Sequence, residues 1–166
     1  MATAKTKNFQ LTVRIDTDQT AANQEIDLSD FIDIADNEAF ELQDWDIMLD
    51  LNSADQTNGF PTANTTCRFQ LADSNLTAFV SDNQRTSLGC ARISYNVSHL
   101  TESKQVSMSH DNDFYENLVV SKSLWVRNES SAGDLSFTLT MRGRIVKPSA
   151  KDYMALILTQ TGQVAA

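Results

Sequence analysis

Residues 134–147, Asp134-Leu-Ser-Phe-Thr-Leu-Thr-Met-Arg-Gly-Arg-Ile-Val-Lys147, alternate apolar and polar side chains almost without a break. A period of two is the pattern of a β-strand with one face buried. The predicted strand is far longer than the usual five or six or so residues, long enough to be an extended sheet edge or a barrel wall that closes the domain. Pro148 then ends it. Ser149 and Asp152 have the spacing of a capping box, so a helix is predicted next, with Tyr153–Gln160 as two turns ended by Gly162.

The rest of the chain reads as further strands. Asn8–Ile15 sets Phe9, Leu11, Val13 and Ile15 on one face. Ala39–Leu51 alternates too, but its phase slips by one residue, which places a bulge near Gln43-Asp44. Cys67–Leu71 and Leu76–Val80 read as short strands and Leu88–Val97 as a longer one. Gln105–Ser109 is a weak strand, and 114–127 holds a strong one around Leu118–Val126. Residues 16–24 read as a polar loop. In Ile26–Ile34, Leu28, Phe31 and Ile32 are spaced like a helical turn, with Asp27 or Ser29 as N-cap. Asn52–Thr66 reads as a long loop, Thr101–Lys104 as a turn and Asn128–Gly133 as a hairpin turn.

About eight strands with uneven loops and few helices exclude parallel α/β folds, which need a helix between strands. The expected fold is all-β, a single jelly-roll sandwich of about eight antiparallel strands with one or two short helices, covering residues 1–166 as one domain. The immunoglobulin order of Cys, Trp, Cys is missing, because Trp45 precedes Cys67 and Trp125 follows Cys90. The sixteen Asp against six Glu, with twelve Asn, fit a loop-rich β protein.

Charge is unevenly spread. Residues 1–55 carry thirteen Asp/Glu and three Lys/Arg, a net of −10, while the remainder nets +1. Acidic solvated loops explain this; a second explanation is two electrostatically distinct faces through which copies associate. Phosphate recognition needs a basic cluster, and the local one here, Arg142, Arg144, Lys147 and Lys151, is small. No apolar run approaches the ~20 residues of a membrane-spanning helix. The first residues have no apolar core of a signal peptide, so none is expected.

Few residues carry chemistry. Cys67 and Cys90 are too few for a zinc site and read as two free thiols, with one disulfide as the alternative. Asp16/Asp18, Asp44/Asp46 and Asp111/Asp113 are paired carboxylates without the glycine and distal Glu of a calcium loop. Asp44 and Asp46 read as an outer strand face. His99 and His110 have neither metal-site spacing nor a nucleophile frame, and the five glycines form no phosphate loop. Four Asn-x-Ser/Thr sequons start at Asn64, Asn75, Asn96 and Asn128. Trp45, Trp125, Tyr95 and Phe69 fit core packing better than a sugar-stacking platform. No catalytic, cofactor-binding or metal residue is assigned, and no enzyme activity is expected.

The acidic stretch Ile26-Asp-Leu-Ser-Asp-Phe-Ile-Asp33 leading into an alternating strand, and the ending Met141-Arg-Gly-Arg-Ile-Val-Lys-Pro-Ser-Ala-Lys-Asp-Tyr-Met-Ala-Leu-Ile-Leu158, together with the order of β segments, resemble single jelly-roll capsid proteins of icosahedral viruses. The resemblance implies a virion protein whose many copies assemble into a shell around the genome, with other capsid or penton proteins as further partners. Many such subunits carry a basic N-terminal arm, whereas only Lys5 and Lys7 precede the first strand here. The implied genome contact is therefore through another protein or an internal membrane vesicle. A carbohydrate-binding or adhesion module is the alternative. The segments before Phe9 and after Gly162 lack core patterning and are the expected places for contacts between copies.

Overall fold

The computed structural model describes residues 2–50, 56–57, 60–81, 86–98, 103–110 and 118–164. In chain order these form β1 (Thr3–Ala4), β2 (Phe9–Thr17), β3 (Ala22–Asp27), a 3₁₀ turn (Ile34–Asp36), β4 (Ala39–Leu49), β5 (Gln56–Thr57), β6 (Phe60–Pro61), β7 (Thr65–Ala72), β8 (Ser87–Ser98), β9 (Ser103–His110), β10 (Leu118–Val119), β11 (Ser123–Ser130), β12 (Leu135–Lys147) and helix α1 (Ala150–Val164). The protein is an all-β sandwich of two antiparallel sheets with one helix. One sheet runs β2–β12–β4–β10, with β1 continuing the β2 side of β12; the other runs β3–β11–β7–β8–β9. β5 and β6 pair only with each other.

The long final strand is central rather than an edge or closing wall. β12 pairs with β2 over residues 135–143 on one side and with β4 over 137–146 on the other. Its alternation is real: Leu135, Phe137, Leu139, Met141 and Ile145 all point into the core, where Phe137 meets Phe69 of β7 edge to face at 4.7 Å. A strand paired along both edges leaves no backbone groups open, which is why it can be so long.

The phase slip in β4 is a bulge. Arg142 is opposite Asp44 and Gly143 opposite Leu42, so Gln43 is the extra residue. The slip lets Phe40 and Leu42 before it, and Trp45 and Ile47 after it, all reach the core. Gly143 has no side chain because the Phe40 ring and the Glu41 carbonyl fill that space: a Cβ there would lie 2.6 Å from a ring carbon and 2.4 Å from the carbonyl oxygen. Phe9 packs on this ring at 5.8 Å and stacks on Phe31 at 5.5 Å.

Several expectations are corrected. Leu76–Val80 is not a strand, although Leu76 is buried. Side chains satisfy its backbone in place of a ladder: Gln70 donates to the Val80 carbonyl and accepts from its N–H, each at 2.9 Å, and Arg127 donates to the Leu76 carbonyl at 3.1 Å. The polar stretch 16–24 instead contains the end of β2 and the start of β3, and Asp27 ends β3 where a helix was expected. One turn does follow, with the Ile32 N–H donating to the Leu28 carbonyl at 3.1 Å and Asp27 accepting from the Ser29 N–H at 2.8 Å, but it is not propagated.

The segment around Leu118–Val126 is two strands rather than one. β10 pairs with β4 and β11 with β3 and β7, so the chain changes sheets at 120–122. There the Lys122 carbonyl accepts from the Leu28 N–H at 2.7 Å, and the Ser121 hydroxyl accepts from the Ser123 N–H at 3.1 Å. β11 also runs on to Ser130, so the turn before β12 is shorter than composition indicated, with Gly133 at φ 75°.

Ser149 and Asp152 form the expected capping box, the hydroxyl donating to the carboxylate at 2.7 Å and accepting from the Asp152 N–H at 3.2 Å. Helix α1 passes through Gly162 to Val164, four residues beyond the expected two turns. Tyr153 is its anchor, packed with Ala39, Val120 and Val146 in a small second core.

Candidate functional site

Three of the four basic residues clustered near the C-terminus pair with N-terminal acids. Arg142 donates to Asp44 at 2.9 Å, Arg144 to Glu41, and Lys147 to Asp36 at 2.6 Å. Antiparallel pairing of β4 with β12 sets part of the acidic third beside this basic segment. These pairs are half-exposed, and such pairs each contribute about 0–1 kcal/mol. Their result is a cross-linked outer face on the β2–β12–β4 sheet.

The N-terminal segment is tied to its own chain. Thr3 and Ala4 pair with Lys147 and Val146, the Lys5 N–H donates to the Ile145 carbonyl at 2.8 Å, and the Thr6 hydroxyl accepts from the Ile145 N–H at 2.9 Å. Lys5 also donates to Glu38, whose side chain is only 4% exposed and accepts from the Asp33 N–H at 2.9 Å. The Lys5 hydrogen bond, followed by that from Asp33, holds the Glu38 carboxyl below its usual pKa range. At the other end, the side chains beyond Leu158 and residues 165–166 lie outside the described residues. Met154 and Leu158 share one helix face, 56% and 66% exposed, away from the Tyr153 side.

Of the chemistry-bearing residues, Asp16 accepts from Ser136 at 2.6 Å and from Arg14 at 2.9 Å, and these two bonds lower its pKa. Asp18 accepts from the Gln19 N–H at 2.5 Å. Asp46 accepts from the Ile47 N–H at 2.9 Å. Among the described residues, no group of three or more His, Cys, Asp or Glu could hold a metal ion. Asp111, Asp113 and His99 lie outside them, and for His110 only the strand position, opposite Ala91, is described. Cys67 and Cys90 are free thiols: Cys67 points into the core, where burial pushes its pKa up to about 11, and Cys90 is half-buried on the outer face. Trp45, Tyr95 and Phe69 are core residues, so an exposed aromatic platform with Trp125 does not form. Among the sequons, Asn128 is 1% exposed and faces the core. Asn64 accepts from the Val97 N–H at 2.7 Å. No helix among the described residues is long and apolar enough to cross a membrane.

One surface feature had no local signature in the sequence. On the outer face of the second sheet, Arg68 of β7 lies directly opposite Arg92 of β8, and Arg127 is one strand over, opposite Gln70. The Arg68 and Arg127 guanidiniums lie 4.6 and 5.3 Å from the centre of the Phe79 ring. A pocket of about 190 Å³ opens here, with Phe79, Val80, Cys90 and Ala91 as walls and Arg68 and Arg92 at its rim. Gln70 fixes its outer wall through Val80 and donates to Ser87 at 3.0 Å.

The chain matches no protein-family model, no curated protein and no solved structure. Its function is therefore argued from strand order and surfaces alone.

Proposed function

We propose that this chain is a jelly-roll shell subunit, a virion capsid protein whose many copies self-assemble around a genome. Strand order carries the reading. With β1, the β5–β6 pair and β9 set aside, eight strands remain, arranged first–eighth–third–sixth in one sheet and second–seventh–fourth–fifth in the other. All but one of the connections between these eight cross from sheet to sheet. That wrapping supports a jelly roll, a fold that recurs in viral capsid domains.

Two surface observations add support. Met154, Leu158, Met48 and Phe31 are exposed apolar side chains on a chain with a well-filled core, as subunit contacts need. Lys5, one of two cations ahead of β2, is turned inward onto Glu38 instead of outward as part of a basic arm. The reading accordingly assigns genome contact to another protein or to an enclosed membrane vesicle.

The deciding experiment is particle mass by light scattering during size-exclusion chromatography, with negative-stain images of the peak. Megadalton particles or regular sheets are the expected result. An 18.4 kDa monomer at every salt concentration, pH and protein concentration tried would refute self-assembly.

A further inference from the structure

We propose that the arginine-rimmed pocket on the outer face of β7–β8 receives the Asp30–Phe31 loop of a second copy of this chain. The inference rests on the shell-subunit reading and names one of its contacts.

The pocket is electrostatically unfinished. Arg68 and Arg92 are cross-strand partners on one face, and like charges directly opposite each other destabilise a sheet. Arg127 adds a third guanidinium nearby, and Glu129, paired with Arg68, is the carboxylate that answers them. Arg92 is in no ion pair among the described residues. This excess of positive charge stands on a chain of net charge −9. An incoming carboxylate would relieve the repulsion.

The pocket is also preformed. Phe79 sits under two guanidiniums, which favours cation–π attraction. Gln70, 2% exposed, clamps the wall at Val80, and Arg127 is fixed by Asn23 at 3.0 Å and by the Leu76 carbonyl. Its apolar walls and charged rim suit an aromatic side chain flanked by carboxylates.

The turn after β3 offers that combination. Phe31 is 45% exposed, with Asp30 before it and Asp33 two residues after. Asp30 is exposed and in no ion pair or hydrogen bond among the described residues. The two surfaces cannot meet within one copy. The order β3–β11–β7–β8 puts Arg92 three strand spacings from β3, about 14 Å, and Phe31 leans the other way, onto Phe9 of the opposite sheet. Loop and pocket are different patches, so one copy's loop meets another copy's pocket, either reciprocally in a closed dimer or head-to-tail in a ring or array.

The test uses the full chain and reads association by light scattering. Arg92→Glu and Asp30→Arg should each weaken association about tenfold or more, and the double swap should recover most of it. Single swaps that assemble like the wild type would overturn this contact and leave the shell reading standing. If the wild type stays monomeric, the shell reading fails, and the contact is then tested by cross-linking. Asp30→Cys, oxidised in air at high protein concentration, should give a dimer whose disulfide joins position 30 to Cys90 of another copy, since Cys90 lines the pocket. No such dimer, or one bridged between other positions, would overturn the contact as well.

Discussion

Replacing Gly143 by alanine should unfold the sandwich at a clearly lower temperature. The new Cβ would sit 2.4 Å from the Glu41 carbonyl oxygen and 2.6 and 2.7 Å from two carbons of the Phe40 ring. Ordinary carbon contacts lie at about 3.5–4.0 Å, so all three neighbours are roughly 1 Å too close. The carbonyl belongs to β4 in its pairing with β12, and the ring is fully buried against Phe9. Neither can retreat without cost. Overpacking of this kind costs about 1–3 kcal/mol, sometimes more, and the entropy gained by replacing glycine returns only about 0.5–1 kcal/mol. A net loss of about 1–2 kcal/mol is expected, which for a chain of this size lowers Tm by about 2–8 °C. Circular dichroism melts at one fixed protein concentration measure it, with urea titrations to confirm an unchanged m-value. Phe40→Leu should cost less in the Gly143→Ala background than in the wild type, by at least about 0.5 kcal/mol, because the two share the clash. A Tm equal to or above wild type, or strictly additive costs, would refute the argument that the bulge requires glycine.

Glu38 should tie release of the N-terminal segment to acid. Its folded-state pKa is depressed, so its contribution is complete above the unfolded value of 4.5 and is lost as pH falls below that through the lowered value. Hydrogen exchange at the Lys5 amide should rise over that window, and in Glu38→Gln it should already be raised at neutral pH; a flat profile in both would reject the coupling. Thiol labelling of the monomeric chain near neutral pH should modify Cys90 and spare Cys67, with both reacting after denaturation. Asn128→Asp should cost about 3 kcal/mol or more, since it places a carboxylate at a site 1% exposed opposite Phe69. A denaturation midpoint close to wild type would contradict the burial argument.

What was legible in the sequence is what local periodicity records. β12 and β2 alternate cleanly, the slip at Gln43 marks the bulge, and the Ser149–Asp152 spacing marks the helix start. β3 was hidden because Ala-Asn-Gln-Glu-Ile-Asp has one large apolar residue, and its extended shape comes from pairing with β11. Leu76–Val80 misled for the opposite reason: apolar side chains at strand spacing, with backbone groups satisfied by Gln70 and Arg127 from elsewhere. The break between β10 and β11 left no mark, since apolar residues stand on both sides of a crossing between two cores. At the surface, three of the four basic residues that cluster in sequence are paired with acids. The arginines that gather in space, Arg68, Arg92 and Arg127, come from three strands and share no local motif.

The central place of β12 sets an order of events in the making of the protein. Its partners β1, β2 and β4 all precede residue 50, and ties such as Arg14 to Ser136 span 122 positions. Until residues 135–147 have been synthesised, β2 and β4 have no strand between them, and each presents a bare edge able to recruit another chain. Contacts this distant also form slowly. The sandwich is thus complete only when its last strand slots in, and the interval before that is when the chain is most exposed to aggregation. A slower elongation rate through β12 would lengthen that interval, so the yield of folded protein should depend on how quickly the final strand is delivered.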